Sequence, residues 1–189
     1  QGGAFPGIWG MLGCMTGFAC YDIANQRSVG WDVIVNRPKV AAYRAPSAPM
    51  AAYAVESIMD VVAEEIGMDP VDFRLKNVAK EGAQAPYGPI YGPIGIESAL
   101  NAVKENPHMK VKLKKNQGRG VACGFWFNIG GQTCVDLNIG TDGSVNLAVG
   151  TVDVGGARSS MGMIAAEELG IDYEDVKVHV ADTASLGHN

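Results

Sequence analysis

The stretch Val40-Ala41-Ala42-Tyr43-Arg44-Ala45-Pro46-Ser47-Ala48-Pro49 places one arginine in a tight loop of small residues, directly before a helix-like segment. Pro49 suits the first turn of a helix, because the N–H that proline lacks would have no partner there. A guanidinium on such a loop offers a fixed fork of donors to an anionic or oxo group. Arg44 is therefore a candidate anchor for such a group, and the alternative is a surface arginine beside a turn.

Two helices are predicted after this loop. Residues 49–66 have an apolar face formed by Val55, Ile58, Met59, Val62 and Ile66. Their acidic residues, Glu56 among them, are predicted on the opposite, polar face. Gly67 predicts the end of this helix. Asp69 and Pro70 are typical of a capped helix start, and the second helix is predicted to run to about Lys80.

Strands are predicted on both sides of this helical region. Residues 28–43 alternate apolar and polar positions, and Pro38 divides them into two short strands or an edge strand. Later strands are predicted at 120–127, 133–139, 144–149 and 174–180, with a hairpin at Thr141-Asp142-Gly143. Helices are predicted at 96–105 and 159–169, whereas the glycine-rich residues 1–20 indicate a loop or a close backbone approach. The pattern predicts an α+β fold with mixed sheets and packed helices.

Composition narrows the classes of function. The net charge of −5 argues against nucleic acid or an anionic membrane as partner. No apolar run is long enough to cross a bilayer and no charged leader precedes one, so we expect a cytoplasmic protein. The four cysteines lack the spacing of a metal site, which favours reduced thiols and no metal ligand from side chains.

The first residue is not Met, and the chain opens and closes without a recognisable terminal element. We therefore expect residues 1–189 to be an internal piece of a longer polypeptide, with a possible subdomain boundary near 106–119.

A second candidate site lies between a predicted strand and a predicted helix, at residues 150–160. Gly155 and Gly156 would let the backbone approach a ligand closely, and the free N–H groups of the helix start could bind an anion. Arg158 and the neighbouring serine hydroxyls add donors. The segment is neither a Walker motif nor a dinucleotide fingerprint. It predicts a phosphate or pterin cradle or, alternatively, a plain turn. The polar loop after the last strand could bring Asp182 and Thr183 to a ligand, or could be a solvated loop.

These motifs together carry a family resemblance. Residues 40–77, with the Ala-Tyr-Arg loop, Gly67-Met68-Asp69-Pro70 and Arg74-Leu75-Lys76-Asn77, resemble the molybdopterin-binding subunit of the xanthine dehydrogenase and aldehyde oxidase family. The segment Asp153-Val154-Gly155-Gly156-Ala157 is similar to the family's Asp-x-Gly-Gln-Gly. The family's Ala-Ala-Glu-Glu-Leu-Gly is found at residues 165–170. The resemblance extends from about Tyr21 to the end of the chain.

The resemblance implies a molybdenum hydroxylase, which inserts water-derived oxygen into a C–H bond of an N-heterocycle, aromatic compound or aldehyde. It implies a molybdopterin cofactor in the cytosine dinucleotide form. The implied partners are the rest of the large subunit and iron–sulfur and FAD subunits or domains. The implied cofactor-binding residues are Arg44, Gly155, Gly156, Asp182 and Thr183. Ala45 and Pro46 match positions that shape the substrate pocket.

The chain departs from the family pattern in several places. Gly156 stands where the family commonly has glutamine, although we expect Gly156→Gln to be tolerated, and Ala157 replaces the second glycine. Pro46 argues against a purine substrate, and Ala45 argues against carbon monoxide oxidation. The family's catalytic glutamate and its upstream metal-site loop are not found. We therefore expect the isolated chain to bind no molybdenum and to be inactive, and the alternative is a non-catalytic binding or assembly module.

Overall fold

The structure is a computed structural model that describes residues 8–38, 42–127, 132–180, 182 and 184. The chain forms two compact units, Gln1–Phe127 and Asn128–Asn189. The subdomain boundary predicted near 106–119 lies inside the range of the first unit and remains a prediction. Mixed helices and a small mixed sheet confirm the predicted α+β class. None of the helices in the described part of the chain has the length and hydropathy that a bilayer crossing requires.

The first unit is built from helices. They are α1 (Ile8–Gly17), α2 (Ala48–Glu65), α3 (Pro70–Asn77), α4 (Ile96–Glu105) and α5 (Pro107–Lys110). The predictions for α2, α3 and α4 are confirmed, although α3 ends three residues before Lys80. Asp69 caps α3 as predicted, because its carboxylate accepts hydrogen bonds from the N–H groups of Val71 and Asp72.

The prediction of a loop for the N-terminal region is wrong over Ile8–Gly17, which form α1. The glycines that suggested a loop lie where α1 packs closely on α2. A Cβ atom on Gly13 would lie 3.5 Å from Ser47, and one on Gly17 would lie 3.8 Å from Ala51. Helices approach this closely only where the facing side chains are small, so the glycine content reflects packing between helices.

Two predicted strands do not form ladders. In the described part of 28–43, the only bridge is an isolated one at Ile34, and 120–127 contain no strand residue. Residues 121–127 nevertheless alternate between half-buried and exposed positions, as a strand does. The alternating pattern therefore predicted side-chain direction correctly over 121–127. It did not do so in 28–38, where Val29, Trp31 and Val33 are all exposed.

The second unit contains strands β1 (Val135–Ile139), β2 (Val145–Val149) and β3 (Val176–Val180), with helix α6 (Ala157–Leu169) between β2 and β3. β1 and β2 pair antiparallel across the predicted hairpin, whereas β2 and β3 pair parallel. The core includes one face of β2, which packs with α6 and β3. Its buried residues are Val145, Leu147, Val149, Ala166 and Val176. β2, α6 and β3 thus form a β-α-β unit, whose parallel strands end at the same edge of the sheet.

Candidate functional site

The loop before α2 holds three non-glycine residues with positive φ: Arg44 at 20°, Ala45 at 56° and Ser47 at 67°. Residues other than glycine rarely have a positive φ, because their Cβ atom then crowds the neighbouring backbone. Hydrogen bonds from Ala48 N–H to the Ala45 carbonyl (3.1 Å) and from Ala51 N–H to the Ser47 carbonyl (3.0 Å) hold the turn. Such backbone strain is concentrated at functional sites, so it supports this loop as a candidate binding site.

The Arg44 side chain is exposed, and Ala45 and Pro46 are half-buried. A cavity of about 620 Å³ adjoins the loop at Ser47 and lies between α1, α2 and residues 28–32. Its large lining side chains are Trp9, Phe18, Val29, Trp31, Met50 and Val55. Arg44, Ala45 and Pro46 are not among its lining residues. The structure thus places the three predicted residues next to this cavity and not around it.

In the second unit, the turn between β2 and α6 contains two consecutive left-handed residues, Gly155 with φ 62° and Gly156 with φ 90°. A Cβ atom added to Gly156 would meet no atom within 4 Å, so space is open beside the backbone at this point. A flat ligand could therefore approach the peptide groups of the turn directly. The tolerance of Gly156→Gln stays a prediction. On this backbone any side chain at Gly156 carries strain, because φ is 90°.

The start of α6 is less open to an anion than the sequence suggests. Asp153 Oδ1 accepts a hydrogen bond from Arg158 N–H at 3.1 Å, and Arg158 Nε lies 3.7 Å from Asp153 Oδ2. The Ser160 hydroxyl donates to the Gly156 carbonyl at 3.2 Å. Arg158 and the Ser160 hydroxyl therefore have acceptors within the turn, and a carboxylate already lies at the helix N-terminus. The arrangement suits a polar ring against the glycine backbone better than a phosphate on the helix.

Asp182 follows β3 by two residues, at the sheet edge from which the glycine turn also leaves β2. Ligands of open sheets that contain parallel strands commonly bind outside the carboxyl ends of those strands. The Asp182 carboxylate accepts a hydrogen bond from Ala184 N–H at 3.0 Å. The β-α-β unit therefore brings Gly155, Gly156 and Asp182 to one edge, while Thr183 lies outside the described residues.

Glu56 is a buried polar centre that sequence reasoning missed. Its Oε1 accepts the Tyr21 hydroxyl at 2.5 Å, and its Oε2 accepts Arg74 Nε at 2.8 Å and Cys123 N–H at 3.0 Å. Arg74 also donates to the Asp60 carboxylate at 2.8 Å. The prediction that Glu56 lies on the polar face of α2 is wrong, because Arg74 supplies a buried positive charge that needs a carboxylate. Val71 and Arg74 lie three residues apart on the buried face of α3, which is the signal that could have found the pair.

The tyrosine hydroxyl and the two thiols around Glu56 remain protonated near pH 7. Burial, followed by the hydrogen bond to Glu56, raises the pKa of Tyr21 far above its ordinary value. Burial also raises the pKa of Cys20 to about 12 and raises that of Cys123. Thiols that stay protonated are poor nucleophiles and poor metal ligands. No group of three or more candidate metal ligands occurs among the residues that the structure describes. This centre therefore stabilises the first unit and is not a candidate for catalysis.

Comparison with known families decides the assignment of the chain. Two models described as molybdopterin cofactor-binding domains match residues 3–78 and 94–189. This chain belongs to the molybdopterin-binding domains of the molybdenum hydroxylase family. The second match spans the β-α-β unit with its glycine turn, and the first spans the Arg44 loop and the Glu56–Arg74 pair.

Individual relatives agree with this assignment. The molybdopterin-binding chain is 30% identical over 158 residues to the xanthine dehydrogenase molybdenum-binding subunit of Escherichia coli, covering 76% of this chain and 21% of the relative. It is 30% identical over 185 residues to a nicotinate hydroxylase of Emericella nidulans, covering 88% of this chain and 14% of that relative. The chain therefore spans about a fifth or less of the length of these curated relatives.

Solved structures show the same fold. An aldehyde oxidoreductase from Desulfovibrio desulfuricans matches with a TM-score of 0.69 and 26% identity, over 93% of this molybdopterin-binding chain and 21% of that one. A quinoline 2-oxidoreductase from Pseudomonas putida matches with a TM-score of 0.70 and 18% identity, over 95% of this chain and 26% of that one. At that lower identity the second likeness concerns the fold alone.

Proposed function

We propose that this chain forms part of the molybdopterin site in the catalytic subunit of a molybdenum hydroxylase. The observation that carries the proposal is the Gly155–Gly156 turn, which has two left-handed residues and open space beside it. The turn lies at the carboxyl edge of a parallel strand pair. It also lies inside a segment that matches a molybdopterin cofactor-binding domain.

The residues of the turn fit a pterin. A ring system with donors and acceptors along its edge needs peptide groups that it can reach without intervening side chains, and Gly155 and Gly156 provide them. Asp153 and Asp182 offer carboxylate oxygens to ring N–H donors near the same sheet edge. We propose Gly155, Gly156, Asp182 and Thr183 as cofactor-binding residues of the second unit.

Arg44 is proposed as the cofactor-binding residue of the first unit. Its exposed guanidinium stands on a strained loop, so its donors can be presented to an oxo or anionic group outside the described chain. Ala45 and Pro46 are proposed to shape the substrate pocket, because they follow Arg44 directly and are half-buried. When bound, the cofactor supplies the redox chemistry that places water-derived oxygen on a substrate carbon. In this proposal the residues of this chain bind the cofactor and orient it.

We propose the cytosine dinucleotide form of molybdopterin, iron–sulfur and FAD subunits or domains as partners, and a cytoplasmic location. The free state of the four cysteines supports a reducing compartment. The names of the relatives, which include a nicotinate hydroxylase and an aldehyde oxidoreductase, support an N-heterocycle, an aromatic compound or an aldehyde as substrate.

The test is purification of the complete enzyme that contains this chain. We expect molybdenum and pterin in a one-to-one ratio with the large subunit, release of a cytosine nucleotide on acid hydrolysis, and turnover of at least one class in a panel of N-heterocycles, aromatic compounds and aldehydes. A complete enzyme without molybdenum, pterin or turnover would instead favour a non-catalytic binding or assembly module.

A further inference from the structure

The sheet of the second unit has one apolar face and one mainly polar face. Residues that are paired across a ladder lie on the same face, so the register gives the composition of each face. The rows of the apolar face are Val135-Val149-Val180, Leu137-Leu147-Val178 and Ile139-Val145-Val176. The rows of the other face are Asp136-Ala148-His179 and Asn138-Asn146-Lys177. The apolar face is therefore continuous across all three strands.

Helix α6 covers two strands of this apolar face. The apolar side chains of β2 are buried, and those of β3 are buried or half-buried. A Cβ atom added to Gly162 of α6 would lie 2.9 Å from Val178 Cγ2, so the helix lies closely against β3. Ala166, one turn further along α6, belongs to the same buried cluster as Val145, Leu147 and Val149 of β2. The helix therefore packs over β2 and β3.

The third strand of the apolar face is left open by the described residues. Val135, Leu137 and Ile139 of β1 are 54%, 41% and 56% exposed, although the β2 residues paired with them are all buried. We call these three residues the β1 row. It lies at one edge of the sheet, whose strand order is β1-β2-β3. An exposed apolar row that continues a buried core indicates a surface that another segment covers.

The spacing of secondary structure indicates a helix as the covering segment. Helices that pack side by side have axes about 8–10 Å apart, and neighbouring strands lie about 4.8 Å apart. A helix beside α6 is therefore displaced from it by about two strands, which places it over β1. A helix also pairs its own backbone groups internally. It can thus cover an apolar surface without burying unpaired N–H and C=O groups.

The small size of the β1 row favours a segment of the same polypeptide over a separate protein. Stable contacts between separate proteins involve about 20–30 residues on each side. A tethered segment has a high effective concentration, so a smaller contact is enough to hold it. The chain covers 21% of the Escherichia coli subunit and 14% of the nicotinate hydroxylase that it resembles. A large subunit of that size would supply such a segment from outside these 189 residues.

We propose that an amphipathic helix, from the part of the large subunit that lies outside this chain, packs beside α6 and covers the β1 row. The source of the helix rests on the proposed function, whereas the open apolar row does not.

Cysteine labelling of the complete large subunit tests whether the row is covered. Leu137→Cys and Asn138→Cys place thiols on opposite faces of β1, at two positions that are both exposed in this structure. A maleimide should label Leu137→Cys at least about tenfold more slowly than Asn138→Cys, because a covered thiol reacts only through local opening. Mass spectrometry separates these labels from those on the chain's own cysteines. Equal labelling rates for the two variants would overturn the proposal. If Leu137→Cys gives no soluble protein, Ile139→Cys in the same row takes its place.

Photo-crosslinking from the same position identifies what covers the row. A diazirine amino acid of similar size in place of Leu137 should crosslink, within one subunit, to a segment outside residues 1–189. The crosslinked positions should be three or four residues apart, as on one face of a helix. Crosslinks that join two subunits, or that reach only residues 1–127, would overturn the proposal, because a second copy or the first unit would then cover the row. So would a failure to reach any segment outside residues 1–189.

Neither measurement needs bound cofactor or turnover, so the two proposals fail separately. A covered β1 row in a subunit that lacks molybdenum would refute the proposed function and leave this contact standing. Equal labelling of Leu137→Cys and Asn138→Cys in a subunit that holds molybdenum and pterin would refute the contact and leave the proposed function standing.

Discussion

Glu56 and Arg74 form a buried ion pair between α2 and α3, with Glu56 Oε2 2.8 Å from Arg74 Nε and side chains that are 7% and 0% exposed. Removing the Glu56 charge leaves the buried Arg74 guanidinium with only the half-exposed Asp60 as a carboxylate partner, in a medium that solvates it poorly. The pair also includes the hydrogen bonds from Tyr21 and Cys123, so it joins segments that are far apart in sequence. We infer that it decides how α2, and with it the Arg44 loop, is held in the first unit.

Glu56→Gln should therefore destabilise the chain by about 3 kcal/mol, the usual scale for breaking a buried pair. The matched control is Glu97→Gln, which removes an exposed pair with Lys80 and should cost less than about 1 kcal/mol. Urea unfolding followed by circular dichroism measures both. Equal midpoints for the two variants would show that the Glu56 carboxylate contributes no more than a surface charge.

The buried thiol of Cys20 predicts a loss of stability in alkali. Its pKa is raised by burial from 9.0 to about 12, so the unfolded chain releases this proton at lower pH than the folded chain does. The contribution is complete below about pH 9 and is lost as pH rises from 9 toward 12, with a slope of at most about 1.4 kcal/mol per pH unit. Cys20→Ala, which cannot ionise, should lose less stability over this range. Parallel curves for the variant and the unsubstituted chain would contradict the assignment.

Arg44→Ala should lower the molybdenum and pterin content of the complete enzyme while leaving its melting temperature nearly unchanged. The reason is that the side chain is exposed, so its truncation should cost little stability. Arg27→Ala, another exposed arginine of the first unit, is the control and should retain full cofactor. Loss of soluble protein for Arg44→Ala, or full cofactor content and turnover, would remove Arg44 from the cofactor site.

Local signals in the sequence predicted most of the helices and strands. Asp69 and Pro70 predicted the start of α3, and Thr141-Asp142-Gly143 predicted the hairpin between β1 and β2, because caps and turns depend on a few adjacent residues. The parallel pairing of β2 with β3 was not predicted. The pairing depends on how α6 brings the chain back to the sheet, and a short stretch of sequence does not contain that information.

The misses share a physical cause. Glu56 is buried because Arg74, eighteen residues later in the sequence, donates a hydrogen bond to it. Helical periodicity describes one helix at a time, so it does not predict a partner on another helix. The glycines of α1 suggested a loop because composition does not reveal that Ser47 and Ala51 of the α2 region face them closely. The positive φ angles of Arg44 and Ala45 were likewise not predicted from the sequence, since they arise from the loop geometry and not from residue type.

The content of molybdopterin in two glycine variants of the complete enzyme tests the central claim most directly. Gly156→Ala and Gly143→Ala change residues with φ of 90° and 85°, and at both positions a Cβ meets no atom within 4 Å. The two variants should therefore carry a similar backbone strain of about 1–2 kcal/mol, but only Gly156 lies in the proposed cradle. We expect pterin and molybdenum per subunit to fall in Gly156→Ala, and to fall further in Gly155→Val, while Gly143→Ala keeps full content. Full cofactor content in both Gly156→Ala and Gly155→Val would show that the turn is an ordinary strand-to-helix connection and would contradict the account.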